Sequence, residues 1–533
     1  MATTYITATE RDARRTTTHA LKYTRGDLVL VATSAVAVFA IVLAYLGRLD
    51  TLRLEGPVAI KSESRAAAEH VVDLNTIEGP EPLQAAMSSL FENVNDRRFA
   101  AAELFRFIND YRNTGRSLPN VGAIAHATID RDAIVRGKGL DEFQQRLDAA
   151  EHRASVAGAP RPKLLPLLTA ADLAALKPRV SVRALDEFRR RLVLFGGLYV
   201  LGFHMVAWVW RFRRIETDSL LLIVAHLLTA IGLAAVLSRP DPLRDTLLFE
   251  RFADGVVVGL IVMTAISLID FGKAAFVELS YLPLVGALLL SLSLIVFGRG
   301  PGSSTAKVNL GPWQPIEAIR LLLALFLAGY FARRWELLRE LRTRVVREIR
   351  VPAWLNLPRA EDALPVVAGV LLALLFFFLQ KDLGPALFLC LVFLAVYAVA
   401  RGRIGMALGG LVLLFLGFYL GYRLHVSSTL VDRVRMWQSP WNNAVVGGDQ
   451  VAHAIWAMAT GGWFGTGLGL GDARYLPAGH TDLVLPAIGE ELGAVGLTLV
   501  AVLYGLLVWR GIRIGRAARN DYGFFLATAL TVF

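Results

Sequence analysis

The chain has 533 residues, of which 55% are hydrophobic, and its formal net charge is +11. Several apolar runs reach the roughly 20 residues that a helix needs to cross a bilayer, so an ordinary soluble protein is excluded. The single cysteine, Cys390, lies in an apolar run, which excludes a framework of disulfides within the chain. Because a helix satisfies its own backbone groups in lipid, the sequence predicts an all-α polytopic membrane protein.

The N-terminal part of the chain alternates between polar and apolar segments. Residues 1–27 contain several arginines and are predicted to be cytoplasmic, because basic loops favour the inner side of the membrane. Residues 28–47 are predicted to be a retained transmembrane anchor, since the apolar run is long for a signal peptide and lacks a small-residue cleavage site. The polar residues 48–190 are then an extracytoplasmic helical insert of unassigned role, and 191–211 form a second span.

Two helices are predicted inside this insert from their apolar faces and their caps. The run NDRRFAAAELFRFINDY has an apolar face with helical spacing, and Asn95 or Asp96 is its candidate cap. The run LTAADLAAL has the pattern of a second capped helix.

Residues 218–533 form the main membrane region. Its predicted spans lie near 219–238, 252–270, 278–297, 315–332, 364–380, 384–400, 404–422 and 483–509. The basic loops alternate with these spans so that the N-terminus lies inside and the long segment 423–482 lies outside. The final apolar run, 522–533, is too short to cross a bilayer at about 1.5 Å per residue, which predicts that the region is incomplete at its C-terminus.

The first polar feature of this region stands at the start of a predicted span. In LGPWQPIEAIR, Glu317 and Arg320 are three residues apart and share a helical face, where they can form an ion pair. The pair either braces the helix bundle or forms part of a substrate cavity, since charged groups in membrane helices usually pair or face a cavity.

A second polar feature, LQKDLGPAL, interrupts two apolar runs. It carries Lys381 and Asp382 at the predicted outer edge of the membrane. The segment is either a tight turn with an interfacial ion pair or a further polar group of a cavity.

The outer segment 423–482 is rich in glycine, tryptophan and asparagine. Three of its arginines, Arg433, Arg435 and Arg474, are candidates for binding a pyrophosphate, because guanidinium groups match phosphate oxygens; ordinary surface charge is the alternative. The run GGWFGTGLGLG lacks the ending of a phosphate-binding P-loop and predicts turns or a close approach of backbones.

The stretch LPAGHTDLVLPAIGEELGAVG brings ionisable groups into an apolar run. Thr481 or Asp482 could cap the following helix, and Asp482 could instead act as a general base at the mouth of a cavity. On a continuous helix Asp482 and Glu490 would be about 80° apart. Such groups indicate a polar cavity, since lipid is a costly environment for charge.

Taken together, these motifs resemble the SEDS family of cell-wall polymerases, of the FtsW, RodA and SpoVE type. The matching segments follow the family order over about 218–533, with an N-terminal extension before them and an incomplete C-terminus after them. They are LGPWQPIEAIR, LQKDLGPAL, GDQVAHAIWAMATGGWFGTGLGLG and LPAGHTDLVLPAIGEELGAVG. The sequence departs from the family pattern at Lys381, where a proline is usual, and at Ala478 and Gly479, where a glutamate-containing stretch is usual.

The resemblance implies a SEDS-like helix bundle that polymerises lipid II, a disaccharide-peptide on undecaprenyl pyrophosphate. Asp482 is then the essential catalytic acid. The residues that would line the substrate cavity or serve as structural polar groups are Glu317, Arg320, Asp382, Gln450, His480 and Glu490.

The family's setting adds expectations about partners and place. The resemblance implies a bacterial cytoplasmic membrane protein with its catalytic face outside, a class B penicillin-binding transpeptidase as partner, and no nucleic acid. No cofactor is certain, a divalent cation could assist, and its ligands are unknown. A flippase for lipid-linked precursors and a non-catalytic scaffold of the cell-wall machinery are the alternatives, and the choice between elongation, division and sporulation stays open.

Overall fold

The computed structural model describes residues 25–55, 71–215, 217–300, 306–311, 313–339, 360–402, 404–442, 447–472 and 475–533. Helices dominate these residues, and the strands are few and short. Within this described part, six helices are long and apolar enough to cross a membrane, namely Gly26–Asp50, Leu185–Phe212, Ser219–Ser238, Gly384–Arg401, Gly405–Arg423 and Val484–Arg516. The prediction of an all-α polytopic membrane protein is therefore confirmed.

Helices run through the whole described part of the chain, whereas its strands all lie within residues 72–181. The helices are α1 (Arg25–Glu55), α2 (Glu81–Ala86), α3 (Val94–Asn113), α4 (Arg131–Arg136), α5 (Asp141–Val156), α6 (Ala170–Leu176), α7 (Leu185–Phe212), α8 (Ser219–Ser238), α9 (Leu248–Ser267), α10 (Ala275–Glu278), α11 (Tyr281–Phe297), α12 (Ile316–Arg339), α13 (Ala360–Leu379), α14 (Leu383–Arg401), α15 (Gly405–Arg423), α16 (Ser428–Gln438), α17 (Gly448–Gly461), α18 (Val484–Arg516) and α19 (Asp521–Val532). The strands are β1 (Val72–Asp73), β2 (Thr128–Asp130), β3 (Leu164–Pro166) and β4 (Val180–Ser181).

The chain divides into two compact units. The first contains Met1–Thr264 and His453–Leu499, and the second contains Ala265–Ala452 and Val500–Phe533. The insert, α1, α7 and α8 belong to the first unit, together with the segment around Asp482.

The insert is a small folded domain with its own apolar core. Besides its helices it contains two strand pairs, parallel between β1 and β4 and antiparallel between β2 and β3. Sequence analysis predicted helices only, because strands of two or three residues are too short to show an alternating pattern. The predicted caps of α3, Asn95 or Asp96, are wrong by two and three residues, since the cap is Asn93, whose side chain accepts from the backbone N–H of Asn95. The second predicted helix is confirmed as α6, which begins with a Thr169–Asp172 capping box.

Helices α1, α7 and α8 pack through a buried polar network. The Ser34 hydroxyl lies 3.0 Å from Nε2 of both His204 and His226. The Tyr199 hydroxyl lies 2.9 Å from Nδ1 of His226, and His226 is fully buried. Because a lone polar group in an apolar bundle is costly, these mutual contacts favour one register of the three helices.

The loop between α8 and α9 binds the insert through backbone and side-chain hydrogen bonds. The buried Arg183 donates to the carbonyl oxygens of Pro242 and Asp245, each at 2.8 Å. The backbone N–H of Val121 donates to the Arg244 carbonyl oxygen at 2.8 Å. The insert therefore stands at the end of α8 where the polypeptide leaves the apolar helix.

In the second unit, α12 lies at the centre of the core. It packs against α11, α14 and α19. Its buried aromatic residues, Phe326, Tyr330 and Phe331, contact further rings such as Phe525. An apolar helix that is buried on several sides is the expected centre of a membrane bundle.

Four of the predicted spans are not among the six long apolar helices; two of them, 278–297 and 364–380, contain the shorter apolar helices Tyr281–Phe297 and Leu364–Leu379. The other two, 252–270 and 315–332, form α9 and α12, and α9 carries charged residues in its first turns. The predicted outer segment 423–482 contains α16 and α17, and short glycine-rich turns connect α17 to α18.

Candidate functional site

Asp482 lies in a turn just before α18, and its side chain is exposed. The Thr481 hydroxyl donates back to the Ala478 carbonyl oxygen at 3.2 Å. Helix α18 begins at Val484, so Asp482 lies outside it and the 80° relation of a continuous helix does not apply. The carboxylate of Asp482 is therefore presented by a turn at the end of a helix, where a large substrate can reach it.

Two adjacent buried acids of α18 hold the preceding glycine-rich turns. Glu490 and Glu491 are 3% and 2% exposed. Glu490 accepts a hydrogen bond from the backbone N–H of Asp472 at 2.6 Å. Glu491 accepts from the Ser238 hydroxyl at 2.8 Å and from the backbone N–H of Gly469 at 3.4 Å. Each carboxylate therefore replaces lost hydration with protein donors, which a buried acid requires.

The glycine-rich turns approach the backbone of α18 closely. A Cβ atom on Gly461 would lie 1.9 Å from the Gly489 carbonyl oxygen and 2.8 Å from Cα of Glu490. The backbone N–H of Thr466 donates to the Glu490 carbonyl oxygen at 2.9 Å. The glycines thus allow backbone contact, which was one of the two predictions made for this run.

Arg239, at the end of α8, contacts the segment that leads into Asp482. Its Nη2 donates to the Leu476 carbonyl oxygen at 2.8 Å. Its guanidinium also lies against Gly479, where a Cβ atom would be 1.7 Å from Nη1. His480 is exposed, and its partial desolvation together with the nearby Arg239 charge lowers its pKa, while the Asp482 carboxylate raises it by less. His480 is therefore held in its neutral form near pH 7.

Glu490 also borders a small cavity. This cavity has a volume of about 150 Å³, and its lining includes His453, Trp456, Tyr475 and Glu490. The exposed aromatic rings and the polar groups converge beside the same turns that precede Asp482.

A separate polar group lies in the second unit. Glu317 and Arg320 form the expected ion pair, with Nη1 and Oε1 separated by 2.8 Å, and the Arg320 guanidinium lies over the Phe388 ring. Burial raises the pKa of Asp382, whereas the charges of Arg320 and Arg433 lower it by less. The structure therefore places both Arg320 and Arg433 within electrostatic range of Asp382.

The remaining candidates from the sequence are more dispersed. Gln450 is exposed on the first turn of α17, and Arg435 is exposed on α16. Arg474 lies outside the described residues. Among the described residues, no group of three or more His, Cys, Asp or Glu side chains is arranged to hold a metal ion.

Sequence analysis missed Arg239, Ser238 and Glu491. An available signal was the position of Arg239, a basic residue directly after an apolar run on the predicted outer side, where the charge bias disfavours it. Ser238 gave no signal, because a serine at a helix end is common. Glu491 was overlooked beside Glu490, since sequence does not reveal which of two neighbouring acids is the more enclosed.

These features define a multi-pass helical membrane protein, with polar groups gathered at the ends of its helices. The family model FTSW_RODA_SPOVE, described as cell cycle protein, matches residues 218–533. The chain belongs to this family.

Curated relatives carry enzyme names. "Peptidoglycan glycosyltransferase RodA" of Mycobacterium leprae is 30% identical over 356 residues, which are 62% of this chain and 72% of that protein. The protein of the same name from Mycobacterium tuberculosis is 34% identical over 218 residues, 41% of this chain and 45% of its own length. "Probable peptidoglycan glycosyltransferase FtsW" of Geobacter sp. is 29% identical over 340 residues, 60% of this chain and 85% of that protein. The matched part thus spans less than half of the M. tuberculosis relative.

Solved structures show a more distant likeness. A chain from the structure described as "Structural coordination of polymerization and crosslinking by a peptidoglycan synthase complex" matches with a TM-score of 0.47 and 23% identity, covering 60% of this chain and 83% of that chain. The crystal structure of the Thermus thermophilus rod shape determining protein RodA matches with a TM-score of 0.38 and 23% identity, covering 60% and 81%.

Proposed function

We propose that this chain is a peptidoglycan glycosyltransferase that polymerises lipid II at the outer face of the bacterial cytoplasmic membrane. The observation that carries the proposal is family membership over 218–533, together with relatives named as peptidoglycan glycosyltransferases. The exposed position of Asp482, on a turn held by buried polar contacts, supports its assignment as the catalytic acid.

The proposed chemistry needs one proton acceptor. A sugar hydroxyl of one substrate attacks the anomeric carbon of the other and forms the new glycosidic C–O bond. Asp482 takes the hydroxyl proton as this bond forms, and the bond between the anomeric carbon and the lipid diphosphate breaks. The diphosphate leaves with the bonding electron pair, and a positioned carboxylate is a suitable general base for such a step.

The surroundings of Asp482 suit a base that must keep its position. Arg239 donates to the backbone at Leu476, and Glu490 and Glu491 accept from the turns before it. A base held within hydrogen-bond reach of its target gains from such rigid support. Neutral His480, two residues away, adds no positive charge that would weaken the basicity of the carboxylate.

The substrate, partner and orientation belong to the same proposal. Lipid II is the donor and acceptor, and a class B penicillin-binding transpeptidase crosslinks the product. The insert, the loop after α8 and the turn with Asp482 then lie on the outer side. The N-terminus lies inside, and a divalent cation could neutralise the leaving diphosphate.

The decisive experiment compares the wild type with Asp482→Asn in a lipid II polymerisation assay. We expect the variant to lose about 10²–10⁴-fold in rate, the usual contribution of general base catalysis. Asp148→Asn is the matched control, since it makes the same change at an exposed position of the insert, and it should retain the full rate.

The assay also separates the other candidate functions. A fully active Asp482→Asn variant would contradict the assigned base. Transfer of labelled lipid II across liposomes without polymer would indicate a flippase. Retention of the transpeptidase with no polymer or transfer, in the wild type, would indicate a scaffold.

A further inference from the structure

The insert binds the loop between α8 and α9 through hydrogen bonds in both directions. The backbone N–H of Val182 donates to the Leu243 carbonyl oxygen at 2.9 Å. In return, the Arg244 guanidinium of the loop donates to the Val180 carbonyl oxygen at 3.1 Å. The insert therefore fixes the backbone of this loop, although the insert lies outside the family match of 218–533 and the loop lies inside it.

Arg183 is the buried centre of this contact, with only 6% of the residue exposed. Its Nη1 donates to the carbonyl oxygens of Pro242 and Asp245, and its Nη2 donates to the Pro119 carbonyl oxygen at 3.1 Å. Two of these acceptors belong to the loop and one belongs to the insert, so one guanidinium joins the two backbones. Loss of the guanidinium would leave the buried Pro242 oxygen without this donor, which is costly.

Helix α1 contacts the same loop and also the glycine-rich turns. Arg48 is 1% exposed, and its Nε donates to the Pro240 carbonyl oxygen at 3.0 Å. A Cβ atom on Gly47 would lie 2.1 Å from the Leu468 carbonyl oxygen, so only a glycine allows this approach. The end of α1 therefore packs directly on the turns that the two buried acids of α18 hold.

Arg239 connects the loop to the turn that presents Asp482. It directly precedes Pro240, and its guanidinium donates to the Leu476 carbonyl oxygen and lies against Gly479. The segment from Leu476 to Asp482 consists of turns and bends, which lack the continuous hydrogen bonding of a helix. Its position therefore depends on contacts of this kind.

We propose that the N-terminal extension positions Asp482 for catalysis through the α8–α9 loop. Arg183 of the insert and Arg48 of α1 fix the loop, the loop fixes Arg239, and Arg239 fixes the turn. Both are positioning residues, because they act through Arg239. The inference rests on the proposed role of Asp482 as the general base. A shift of about 1 Å in a reacting group can lower the rate about 100-fold, so the extension would set the rate of polymerisation.

The test compares Arg183→Met with the wild type in the full chain, by lipid II polymerisation and by hydrogen exchange. Methionine keeps much of the length of arginine but donates no hydrogen bond to the loop. We expect kcat to fall by about 10- to 100-fold and KM to change by less than about twofold, because the base is misplaced while the substrate still binds. The amides of residues 476–483 should exchange faster, whereas those of α3, in the core of the insert, should not.

Two further variants separate positioning from a general loss of structure. Arg183→Lys keeps the charge and a donor, so it should recover part of the lost kcat. Arg136→Met is the matched control, since it makes the same change at an exposed arginine of the insert, and it should alter neither kcat nor hydrogen exchange.

A wild-type kcat in Arg183→Met, or exchange at 476–483 equal to that of the control, would overturn the inference. If α3 also exchanges faster, the insert itself has loosened, and Arg48→Met then decides. Faster exchange at 476–483 with α3 intact in that variant supports the inference, and unchanged exchange overturns it. If the wild type forms no polymer, the proposed function fails, and the exchange data alone decide whether the extension positions the turn.

Discussion

The turns before Asp482 and the Glu317–Asp382 region both place ionisable groups at the ends of apolar helices. The two regions differ in how deeply these groups are buried and in what they bind. In the first region Glu490 and Glu491 are almost fully enclosed and accept hydrogen bonds from backbone amides and Ser238. In the second, Glu317 is 65% exposed and pairs with Arg320 across one helical turn.

Charged residues at the ends of apolar runs therefore have two different physical roles in this chain. Enclosed carboxylates must be satisfied by fixed donors, so their loss leaves amides and hydroxyls without partners. An exposed ion pair exchanges its contacts for water at little cost. We therefore expect the first region to be rigid and sensitive to substitution, and the second to tolerate conservative changes.

The largest loss of stability is expected when the close backbone contact in the first region is disturbed. Gly461→Ala should destabilise the chain by about 3 kcal/mol, because the new methyl group would overlap the Gly489 carbonyl oxygen and backbone cannot move aside easily. The measurement is the thermal unfolding midpoint in detergent. Gly505→Ala is the control, since a Cβ there meets nothing within 4 Å, and a similar loss in both variants would contradict the expected close approach.

The next comparison exchanges one acid in each region for its amide. Glu491→Gln should cost about 1–3 kcal/mol, because an amide can serve only one of the two donors that now bind the carboxylate. Glu317→Gln should cost at most about 1 kcal/mol, as is usual for an exposed ion pair. Thermal unfolding of both variants in parallel checks the ranking, and a reversed order would remove the distinction between the regions.

The smallest change in stability is expected from a substitution of Asp382, and this change depends on pH. Burial raises its pKa, so the folded state holds its proton at pH values where the unfolded state has lost it. Stability contributed by this proton is complete below the ordinary pKa of aspartate and is lost as the pH rises through the raised value.

Asp382→Asn should therefore be neutral at acidic pH and stabilise the chain slightly near pH 7, by less than about 1 kcal/mol, since the group is partly solvated. Unfolding midpoints measured from pH 4 to 8 test this against Asp432→Asn, an exposed carboxylate on α16. A stabilisation that is equal at all pH values, or equal in both variants, would rule out the titration of Asp382 as its cause.

Much of the membrane architecture could be predicted from the sequence, because a long apolar run in lipid is almost always a spanning helix. The Glu317–Arg320 pair was equally accessible, since a spacing of three residues on a helix brings the side chains together. The predicted span 483–509 begins one residue before α18, whereas the turn that presents Asp482 has no periodic signal in the sequence. The strands of the insert were missed because two or three residues carry no alternation.

The sequence by itself determined the helical membrane class, the order of the family motifs and the acid at position 482, because hydropathy and motif spacing are local properties of the chain. Only the tertiary structure decided that Ser238 reaches Glu491, that Arg239 lies against Gly479, and that the insert binds the loop after α8. These contacts join residues far apart in sequence, and their formation depends on how buried polar groups find partners in three dimensions.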